Sequence, residues 1–357
     1  MVNIPLSVNF HFQSSEIMKL SPLLSLAFTS LYSVSYVHGQ HIEKNTFTVG
    51  NTIIQGDTLI DKGVWWTLVR PDLETFTSTV NISGGLYIFS DNLTSLKVNT
   101  NKCQAFINSG IVFFKVLSTS ANYYLKVGEF ENSGDMFLLA ETTNSISYRI
   151  ESEKWVNHVG ATFNMYLDSR IARETVTLGI MGKSISNEGQ ICLKNFRWNS
   201  TSAIVGKGCI DIGNNSIFQY NLPRIPMSSD QTFYLSSPSS TLYVGSTEQY
   251  LPYTVAGFGN GNVIALSKRI IKYSYDDPSG ILILQTASYT MKFQIGHGYD
   301  PDLFYLMPAA DLGPGIGDTK LYAAFSYDGN VPDESTSSSV CKFCQDEPMF
   351  PPEGSLT

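Results

Sequence analysis

Short apolar runs, each preceded by a turn that contains a glycine, recur along the N-terminal part of the chain. They follow Gly63, Gly85, Gly110, Gly134, Gly160, Gly189 and Gly208. Successive glycines are 22, 25, 24, 26, 29 and 19 residues apart. Repeats of this length are typical of solenoids, whose coils bury apolar faces against one another, whereas a propeller blade needs about 40 residues. The pattern predicts a β-solenoid, a right-handed parallel β-helix, over residues 42–235.

Alternation within the runs predicts which side chains fill the solenoid, because successive side chains of a strand point to opposite faces. Positions two and four residues after a glycine are mostly apolar and are predicted to face inward: Trp65, Thr67, Tyr87, Phe89, Val112, Phe114, Met136, Leu138, Ile191, Leu193, Ile210 and Ile212. The intervening positions are predicted to face outward and include Asp135, Gln190, Cys192, Cys209 and Asp211.

The run after Gly160 departs from this alternation. Its supposed inner positions are Thr162 and Asn164, and the apolar Phe163 and Met165 fall on the outer side. Either this coil is shifted by one residue or its glycine is misaligned.

The regular period is lost after residue 235. Short β-prone runs continue, separated by turn signals such as "DDPSG" and "GHGYDPD". This spacing favours an antiparallel β-sandwich over residues 236–335. A polar tail with two cysteines follows at residues 336–357.

Composition supports an all-β chain and excludes some partners. The 357 residues are 43% apolar and 12% aromatic, with 28 glycines, which favours many strands and turns around a large core. The net charge of −8 and the pI near 5.1 offer no basic surface for phosphate backbones. We therefore expect no nucleic-acid partner.

The N-terminus resembles a secretory signal. From Met18 to Gly39 a short basic region precedes an apolar stretch and then small or polar residues. Residues 1–39 are thus interpreted as an N-terminal extension and a signal peptide cleaved near Gly39; a buried helix is the alternative. No later stretch has the roughly 18 apolar residues that span a bilayer, so we expect no membrane insertion of the mature chain.

The expected secretion leads to predictions for four sequons and five cysteines. The sequons predict N-glycosylation at Asn81, Asn92, Asn199 and Asn214. Because secreted proteins mature in an oxidising compartment, the cysteines favour disulfides over metal ligation and over a redox role for "CKFC".

Register arguments narrow the disulfide pairing. Cys192 and Cys209 are offset by one coil and two residues, a Cα separation of roughly 8 Å, beyond the approximately 7 Å that a disulfide spans. We predict that each pairs with Cys341 or Cys344, closing loops worth on the order of 4 kcal/mol each, and that Cys103 stays free. The alternative joins Cys192 to Cys209 and Cys341 to Cys344.

Solenoids also include polysaccharide-degrading enzymes, which need clustered carboxylates, sometimes with a cation or a basic residue, on one outer face. Candidates lie in two coils: Glu129, Glu131 and Asp135 in one, and Asp168, Arg170, Arg173 and Glu174 in the other. They fall in turns and do not repeat at one strand offset, which favours a solvated surface with ion pairs.

Histidines and glycine-rich loops add no catalytic signal. His41, His158 and His297 remain after signal removal, outside any "HExxH" motif. The glycine clusters at 257–262 and 313–318 precede runs typical of strands, whereas a dinucleotide-binding loop leads into a helix. We expect tight turns there, with no catalytic residue, cofactor or metal.

Several longer motifs follow one another in a specific order: "GQICL", "GKGCI", "VAGFGNGNVIAL", "YDDPSGILIL", "KFQIGHGYDPDLF" and "SYDGNVP" before "CKFC". This set, over about residues 45–350, resembles the N-terminal domain of the hyphally regulated cell-wall protein family of yeasts. The resemblance implies a secreted β-helix and β-sandwich, displayed as an adhesin on a Ser/Thr-rich stalk with a GPI signal. Neither feature follows Thr357, so we expect a fragment or a released member.

These expectations describe a non-catalytic, monomeric head domain of a secreted cell-wall glycoprotein that mediates adhesion. Its expected partner is cell-wall polysaccharide or a host or abiotic surface. A structural wall component is the alternative, followed by a polysaccharide-degrading enzyme.

Overall fold

The structure, a computed structural model, describes residues 35–348 without 70, 72, 91–94, 118, 143, 169–173, 221–226, 246–250, 309–322, 334–340 and 343. Regular structure in these residues is almost entirely β-strand, with two 3-10 helices at Asp277–Ser279 and Pro301–Leu303. The described part contains no α-helix with the length and hydropathy of a bilayer span. The predicted all-β class is confirmed.

Two large sheets contain all the described strands. The first sheet has 16 strands in this part of the chain. They are β1 (Ser35–Ile42), β3 (Thr52–Ile60), β5 (Leu73–Phe76), β6 (Val80–Ile82), β8 (Leu96–Asn108), β10 (Ala121–Asn132), β12 (Ile146–Asn157), β14 (Glu174–Leu178), β15 (Ser184–Asn187), β17 (Phe196–Ser200), β18 (Ala203–Val205), β20 (Ile217–Tyr220), β22 (Thr241–Val244), β24 (Val263–Leu266), β28 (Phe304–Met307) and β29 (Ala324–Tyr327).

The second sheet has 13 strands in the same described residues. They are β2 (Thr46–Val49), β4 (Trp65–Val69), β7 (Gly85–Ser90), β9 (Ile111–Leu117), β11 (Asp135–Glu141), β13 (Thr162–Leu167), β16 (Gln190–Lys194), β19 (Cys209–Ile212), β21 (Thr232–Leu235), β23 (Tyr253–Ala256), β25 (Ile270–Asp276), β26 (Ile281–Thr286) and β27 (Thr290–Gln294).

Parallel pairing between successive coils builds the β-solenoid that the glycine spacing predicts. The chain passes from the first sheet to the second and back in each coil. The long strand β8 pairs with β5 over Lys97–Thr100 and with β6 over Phe106–Asn108. Many coils therefore contribute two strand segments to the first sheet and one strand to the second.

Apolar side chains from both sheets form one continuous core inside the coils. Rings at equivalent positions stack there, with centroids 4.7 Å apart for Tyr123 and Tyr148 and 4.9 Å apart for Phe130 and Trp155. Neighbouring strands are about 4.8 Å apart. In-register pairing therefore places equivalent aromatic residues at a distance where stacking is favourable.

The alternation prediction is confirmed in four coils. The eight predicted inward residues of these coils lie in the core: Val112, Phe114, Met136, Leu138, Ile191, Leu193, Ile210 and Ile212. Their register is continuous, because β9, β11, β13, β16 and β19 pair without a shift.

The prediction is wrong in the first two coils. Trp65 pairs with Gly85, and Gly85 pairs with Ile111. Val64 and Gly84 therefore occupy the position of Gly110, and each coil is shifted by one residue. The core residues are Trp66, Leu68, Leu86 and Ile88, in place of the predicted Trp65, Thr67, Tyr87 and Phe89.

The coil after Gly160 is also shifted by one residue, one of the two possibilities that the sequence left open. Thr162 pairs with Asp135, so Ala161 aligns with Gly134. Phe163 and Met165 consequently lie in the core.

The recurring glycine has a steric cause. A Cβ atom on Gly134 would overlap the carbonyl oxygen of Gly110, and one on Gly110 would overlap that of Gly84. These oxygens accept hydrogen bonds of 2.9 Å from the amide of Asp135 and 2.8 Å from that of Ile111. At Gly110 and Gly134 the neighbouring coils thus approach too closely for a side chain.

Asparagines that precede these glycines form a buried ladder. Asn108 donates from Nδ2 to Oδ1 of Asn132 at 2.8 Å, Asn132 to Asn157 at 2.9 Å, and Asn157 to Asn187 at 2.9 Å. All four are fully buried. Because a buried amide without partners costs about 1–3 kcal/mol, the ladder stabilises the corner where each coil enters the second sheet.

Parallel pairing continues beyond residue 235. Strands β22 and β24 extend the first sheet in parallel, and β23 extends the second. Antiparallel strands follow: β25 and β26 attach to the second sheet through β27, and β28 attaches to the first through β29. The C-terminal strands thus lengthen the same two sheets, and the predicted antiparallel β-sandwich over 236–335 is not confirmed.

The predicted signal peptide lies mostly outside the described residues, which begin at residue 35. Its expected end, Gly39, lies within β1, which pairs in parallel with β3. Cleavage near Gly39 would therefore shorten this edge strand. The signal peptide stays a prediction.

Candidate functional site

A C-terminal segment, residues 341–348, is bonded to the outer face of the second sheet. Disulfides join Cys209 to Cys341 and Cys192 to Cys344, with Cα–Cα distances of 5.3 and 6.0 Å. Cys103 is free and buried. Each bond joins a coil cysteine to a tail cysteine, as the register argument predicts.

The backbone of the C-terminal segment is also held by Gln190. The Gln190 amide donates from Nε2 to the carbonyl oxygen of Lys342 at 2.5 Å, and the Lys342 amide donates to Gln190 Oε1 at 2.9 Å. Gln190 was predicted to face outward. It points away from the core, but it is only 5% exposed because the segment covers it.

The segment then crosses earlier coils. The Tyr166 hydroxyl donates to the carbonyl oxygen of Gln345 at 2.8 Å. Lys115 on β9 donates to Glu347 Oε1 at 2.8 Å and pairs with Glu141 at 2.5 Å. The contacts run from β19 to β9, so the segment lies across the strands.

Asp211 is buried beneath one of the disulfides. It is 2% exposed, accepts a 2.5 Å hydrogen bond from Ser236, and lies with Oδ2 3.0 Å from Cys344 Sγ. A disulfide sulfur carries no hydrogen to donate, so little compensates the buried charge. Burial consequently raises the pKa of Asp211 from 3.8 to about 7.

Apolar residues continue this outer face toward the N-terminus. Tyr87, Phe113, Phe137 and Leu139 form a buried cluster separate from the core. The ring centroids of Phe113 lie 6.0 Å from Tyr87 and 6.3 Å from Phe137. We call the outer side of the second sheet from β7 to β19 the covered face.

The outer side of the first sheet over β8, β10 and β12 is different. A shallow polar groove lies there, lined by Lys97, Asn99, Asn122, Tyr124, Ser147 and Arg149. The residues form two rows across the coils, because Asn122 pairs with both Lys97 and Ser147, and Tyr124 with both Asn99 and Arg149. We call this surface the open face.

Tyr124 is the central side chain of the open face. The Arg149 guanidinium lies 5.5 Å from the centroid of its ring, within cation–π range. Glu151 holds both groups: it accepts from Arg149 Nε at 2.5 Å and from the Tyr124 hydroxyl at 3.4 Å. These contacts fix the aromatic ring in place.

The remaining groove residues keep their polar groups available. Within the described chain, the side chains of Lys97, Asn99, Asn122 and Ser147 make no hydrogen bond or ion pair. Sequence reasoning missed this groove, although its residues are the polar members of the alternating runs "LKVN", "ANYYLK" and "ISYRIE".

The carboxylates first considered for catalysis do not all converge. Lys154 bridges Glu129 and Glu131, and its hydrogen bond lowers the pKa of Glu131. Asp135 lies on the second sheet instead, where it accepts a hydrogen bond from Thr162 at 2.8 Å. The first two carboxylates thus belong to a solvated ion-pair cluster.

The other candidate group is only partly described. Asp168 is exposed, and Glu174 begins β14. Arg170 and Arg173 lie outside the described residues. The grouping therefore stays a prediction.

The three histidines have different surroundings. His41 Nε2 lies 3.1 Å from Asp61, and His41 Nδ1 lies 3.4 Å from Glu43, an exposed trio with the ligand types of a weak cation site. His158 Nε2 lies 3.6 Å from Glu131. His297 occupies a turn, with Nδ1 2.5 Å from the carbonyl oxygen of Asp277.

The glycine cluster at 257–262 is a tight turn before β24, as predicted. Gly257 and Gly261 have φ angles of 70° and 84°. The amides of Asn260 and Gly261 donate to the carbonyl oxygens of Gly329 and Tyr327 at 2.7 and 3.0 Å. These N–H groups are therefore not available to bind a phosphate. The cluster at 313–318 lies outside the described residues.

The sequons differ in accessibility. Asn199 and Asn214 are exposed, Asn81 is half-buried in β6, and Asn92 lies outside the described residues. Glycosylation at all four stays a prediction.

Comparison with known proteins agrees with the resemblance seen in the motifs. Residues 30–351 match the family model described as hyphally regulated cell wall protein N-terminal. Cell wall protein IFF7 of Candida albicans is 32% identical over 355 residues, which cover 94% of this chain and 48% of that protein. Hyphally regulated cell wall protein 3 of the same organism is 30% identical over 308 residues, 83% of this chain and 24% of that protein. The chain thus spans about half or less of these curated relatives.

Proposed function

Because the chain belongs to the hyphally regulated cell wall protein family, we propose that it is a non-catalytic head domain displayed at a fungal cell wall. There it mediates adhesion to other cells, host tissue or abiotic surfaces. The match over residues 30–351, which includes both tail cysteines, carries this proposal. The two relatives compared above are named as cell wall proteins.

The architecture supports a role in binding rather than in catalysis. Glu129 and Glu131 are both paired with Lys154, and Asp135 lies on the other sheet. A glycosidase needs two carboxyl groups that face one bond of the substrate. The two disulfides suit a protein that works outside the cell, in an oxidising medium.

Deletion of the gene tests the adhesive role. We expect cells without the protein to attach less to a host or plastic surface while the resistance of the wall to digestion stays normal. Reintroduction of the unaltered gene is the control and should restore attachment. Unchanged attachment would contradict adhesion.

The second candidate is a structural wall component, which the names of the relatives favour equally. The same strains distinguish it: altered wall integrity with normal attachment indicates structure.

Absence of catalysis is tested with purified protein on pectic, glucan and mannan substrates. We expect no release of unsaturated or reducing sugars. Release that disappears in Asp135→Asn or Asp168→Asn would establish an enzyme instead.

A further inference from the structure

We propose that the open face is a binding site for an anionic glycan chain laid across β8, β10 and β12. The inference rests on the proposed surface display and names the ligand class for it. The lining residues are the six that define the groove: Lys97, Asn99, Asn122, Tyr124, Ser147 and Arg149.

The arrangement of the groove suits a polymer. Its two rows repeat from coil to coil, with Asn122 between Lys97 and Ser147 and with Tyr124 between Asn99 and Arg149. Neighbouring coils are about 4.8 Å apart. A linear chain laid across the strands therefore meets a polar or aromatic side chain at each coil, although the residue type differs from one coil to the next.

The chemistry of the side chains suits a sugar. Tyr124 presents a half-buried aromatic ring held by Arg149 and Glu151, and the apolar face of a pyranose packs against such rings. Asn99, Asn122 and Ser147 supply amide and hydroxyl groups that can donate and accept. A few polar groups around an apolar platform are typical of small-molecule and oligosaccharide sites.

Charge selects an anionic chain. The groove lining includes two cations, Lys97 and Arg149, and no carboxylate. Lys126 lies two residues beyond Tyr124 on β10, and Glu151 pairs with Arg149. The other carboxylates of β10 and β12, Glu129, Glu131 and Glu153, lie further along these strands, where Lys154 bridges the first two. The chain as a whole has a net charge of −8. A local cationic surface on an acidic protein attracts anions and orients their approach.

The outer side of the second sheet is less accessible to a ligand than the open face. The chain's own C-terminal segment crosses the covered face from β19 to β9, held there by two disulfides and by contacts with Tyr166 and Lys115. The open face carries no such contact: within the described residues, no hydrogen bond or ion pair joins the C-terminal segment to it.

The test measures binding of the purified, disulfide-intact chain to three polymers, with and without enzymatic removal of N-glycans. Hyaluronan is the anionic glycan, dextran the neutral glycan, and polyglutamate the anion without sugar. We expect hyaluronan to bind at least about tenfold more tightly than either other polymer and to weaken as salt screens the cations.

Matched variants locate the site. Tyr124→Ala should weaken hyaluronan binding about tenfold and Lys97→Gln about threefold. Tyr124→Phe keeps the ring and should retain binding, which separates loss of stacking from misfolding. Tyr305→Ala and Lys292→Gln, in exposed positions on β28 and β27, should change nothing.

Three results would overturn the proposal: no hyaluronan binding, equal binding of polyglutamate, or binding indifferent to both Tyr124→Ala and Lys97→Gln. Adhesion is judged separately by attachment of cells that display the Tyr124→Ala protein. Normal attachment together with lost hyaluronan binding would leave the groove intact as a glycan site and place adhesion elsewhere.

Discussion

The outer faces of the two sheets carry different residues although both belong to the same coils. On the second sheet, Phe113 and Phe137 point away from the core and are buried, 1% and 2% exposed. On the first sheet, Asn122 and Ser147 occupy outward positions and are exposed. The outer face of the second sheet is therefore largely buried, including polar residues such as Gln190 and Asp211 beneath the C-terminal segment, whereas the outer face of the first sheet leaves Asn122 and Ser147 accessible.

Carboxylates on the two faces also have different surroundings. Asp211 on the covered face is buried beside a disulfide, and its pKa is raised to about 7 by burial. Glu151 on the open face is half-buried and paired with Arg149. Burial of Asp211 therefore makes the stability of the covered face depend on pH. The open face keeps its polar groups accessible to solvent.

Removal of both disulfides, which attach the C-terminal segment to the covered face, should cause the largest loss of stability. In the variant with Cys341→Ser and Cys344→Ser, we expect a loss of about 7 kcal/mol in the free energy of unfolding, measured by denaturant titration. A single Cys344→Ser change should cost about 3 kcal/mol, because the remaining bond still closes the long loop and only a shorter loop is lost.

The control for this experiment is Cys103→Ser. Burial raises the pKa of the Cys103 thiol to about 11, so it stays protonated and exchanges slowly with either disulfide. We expect a change below about 1 kcal/mol for this variant. A larger loss there than in the single Cys344→Ser variant would contradict the role of the tail bonds.

The buried Asp211 should make stability depend on pH. Because its pKa is raised in the folded protein, the unfolded chain binds fewer protons between about pH 4 and pH 7, and stability falls as pH rises through that window. Asp211→Asn keeps the Ser236 hydrogen bond and should raise stability at pH 8 by up to about 4 kcal/mol. The two proteins should converge near pH 4.

Thermal unfolding of both proteins at pH 4, 6 and 8 measures this difference. Asp230→Asn, at an exposed position, is the control and should leave the pH profile unchanged. An Asp211→Asn profile parallel to that of the unaltered protein would show that Asp211 titrates normally.

Truncation of the covered aromatic cluster should have the next largest effect. Phe137→Ala removes a ring that is only 2% exposed and packs with Tyr87, Phe113 and Leu139 on the outer side of the second sheet, and it should cost about 3 kcal/mol. Phe137→Leu keeps most of the volume and should cost less than half as much. A loss below about 0.5 kcal/mol would mean that the Phe137 ring is not buried in solution.

The open face should tolerate the same truncation. Asn122→Ala removes an exposed side chain without a partner and should change stability by less than about 0.5 kcal/mol. The comparison with Phe137→Ala, in the same denaturant titration, measures the difference between the faces directly. A large loss for Asn122→Ala would indicate that this groove is structural.

Much of the solenoid could be predicted because its signals are local. Close approach of the coil backbones requires glycine at several corners, as at Gly110 and Gly134, and this requirement recurs along the sequence in most of the coils. The register prediction failed where Val64 and Ala161 occupy the glycine position, and where Gly84 rather than the neighbouring Gly85 occupies it. An alignment that uses glycine as its only reference position cannot find the register of a coil in which another residue occupies that position.

The asparagine ladder and the polar groove were less accessible to sequence reasoning. Asn108 and Asn132 look like ordinary turn residues until stacking brings their amides within 2.8 Å. Lys97 and Arg149 are 52 residues apart and share a groove only because Tyr124 lies between them in register. Both features depend on contacts between coils.

By itself, the sequence determined the coil repeat and the inward apolar positions of the regular coils, and it favoured pairing of the tail cysteines with the coil cysteines over the alternative, which the disulfides of the structure then excluded. Only the tertiary structure decided which coils shift by one residue, how the antiparallel strands prolong the same two sheets, and which outer face is covered. The physical reason is the range of the interactions. Alternation and steric limits act within one coil or between adjacent coils, whereas the path of the C-terminal segment is set by contacts 132 and 152 residues apart in the chain.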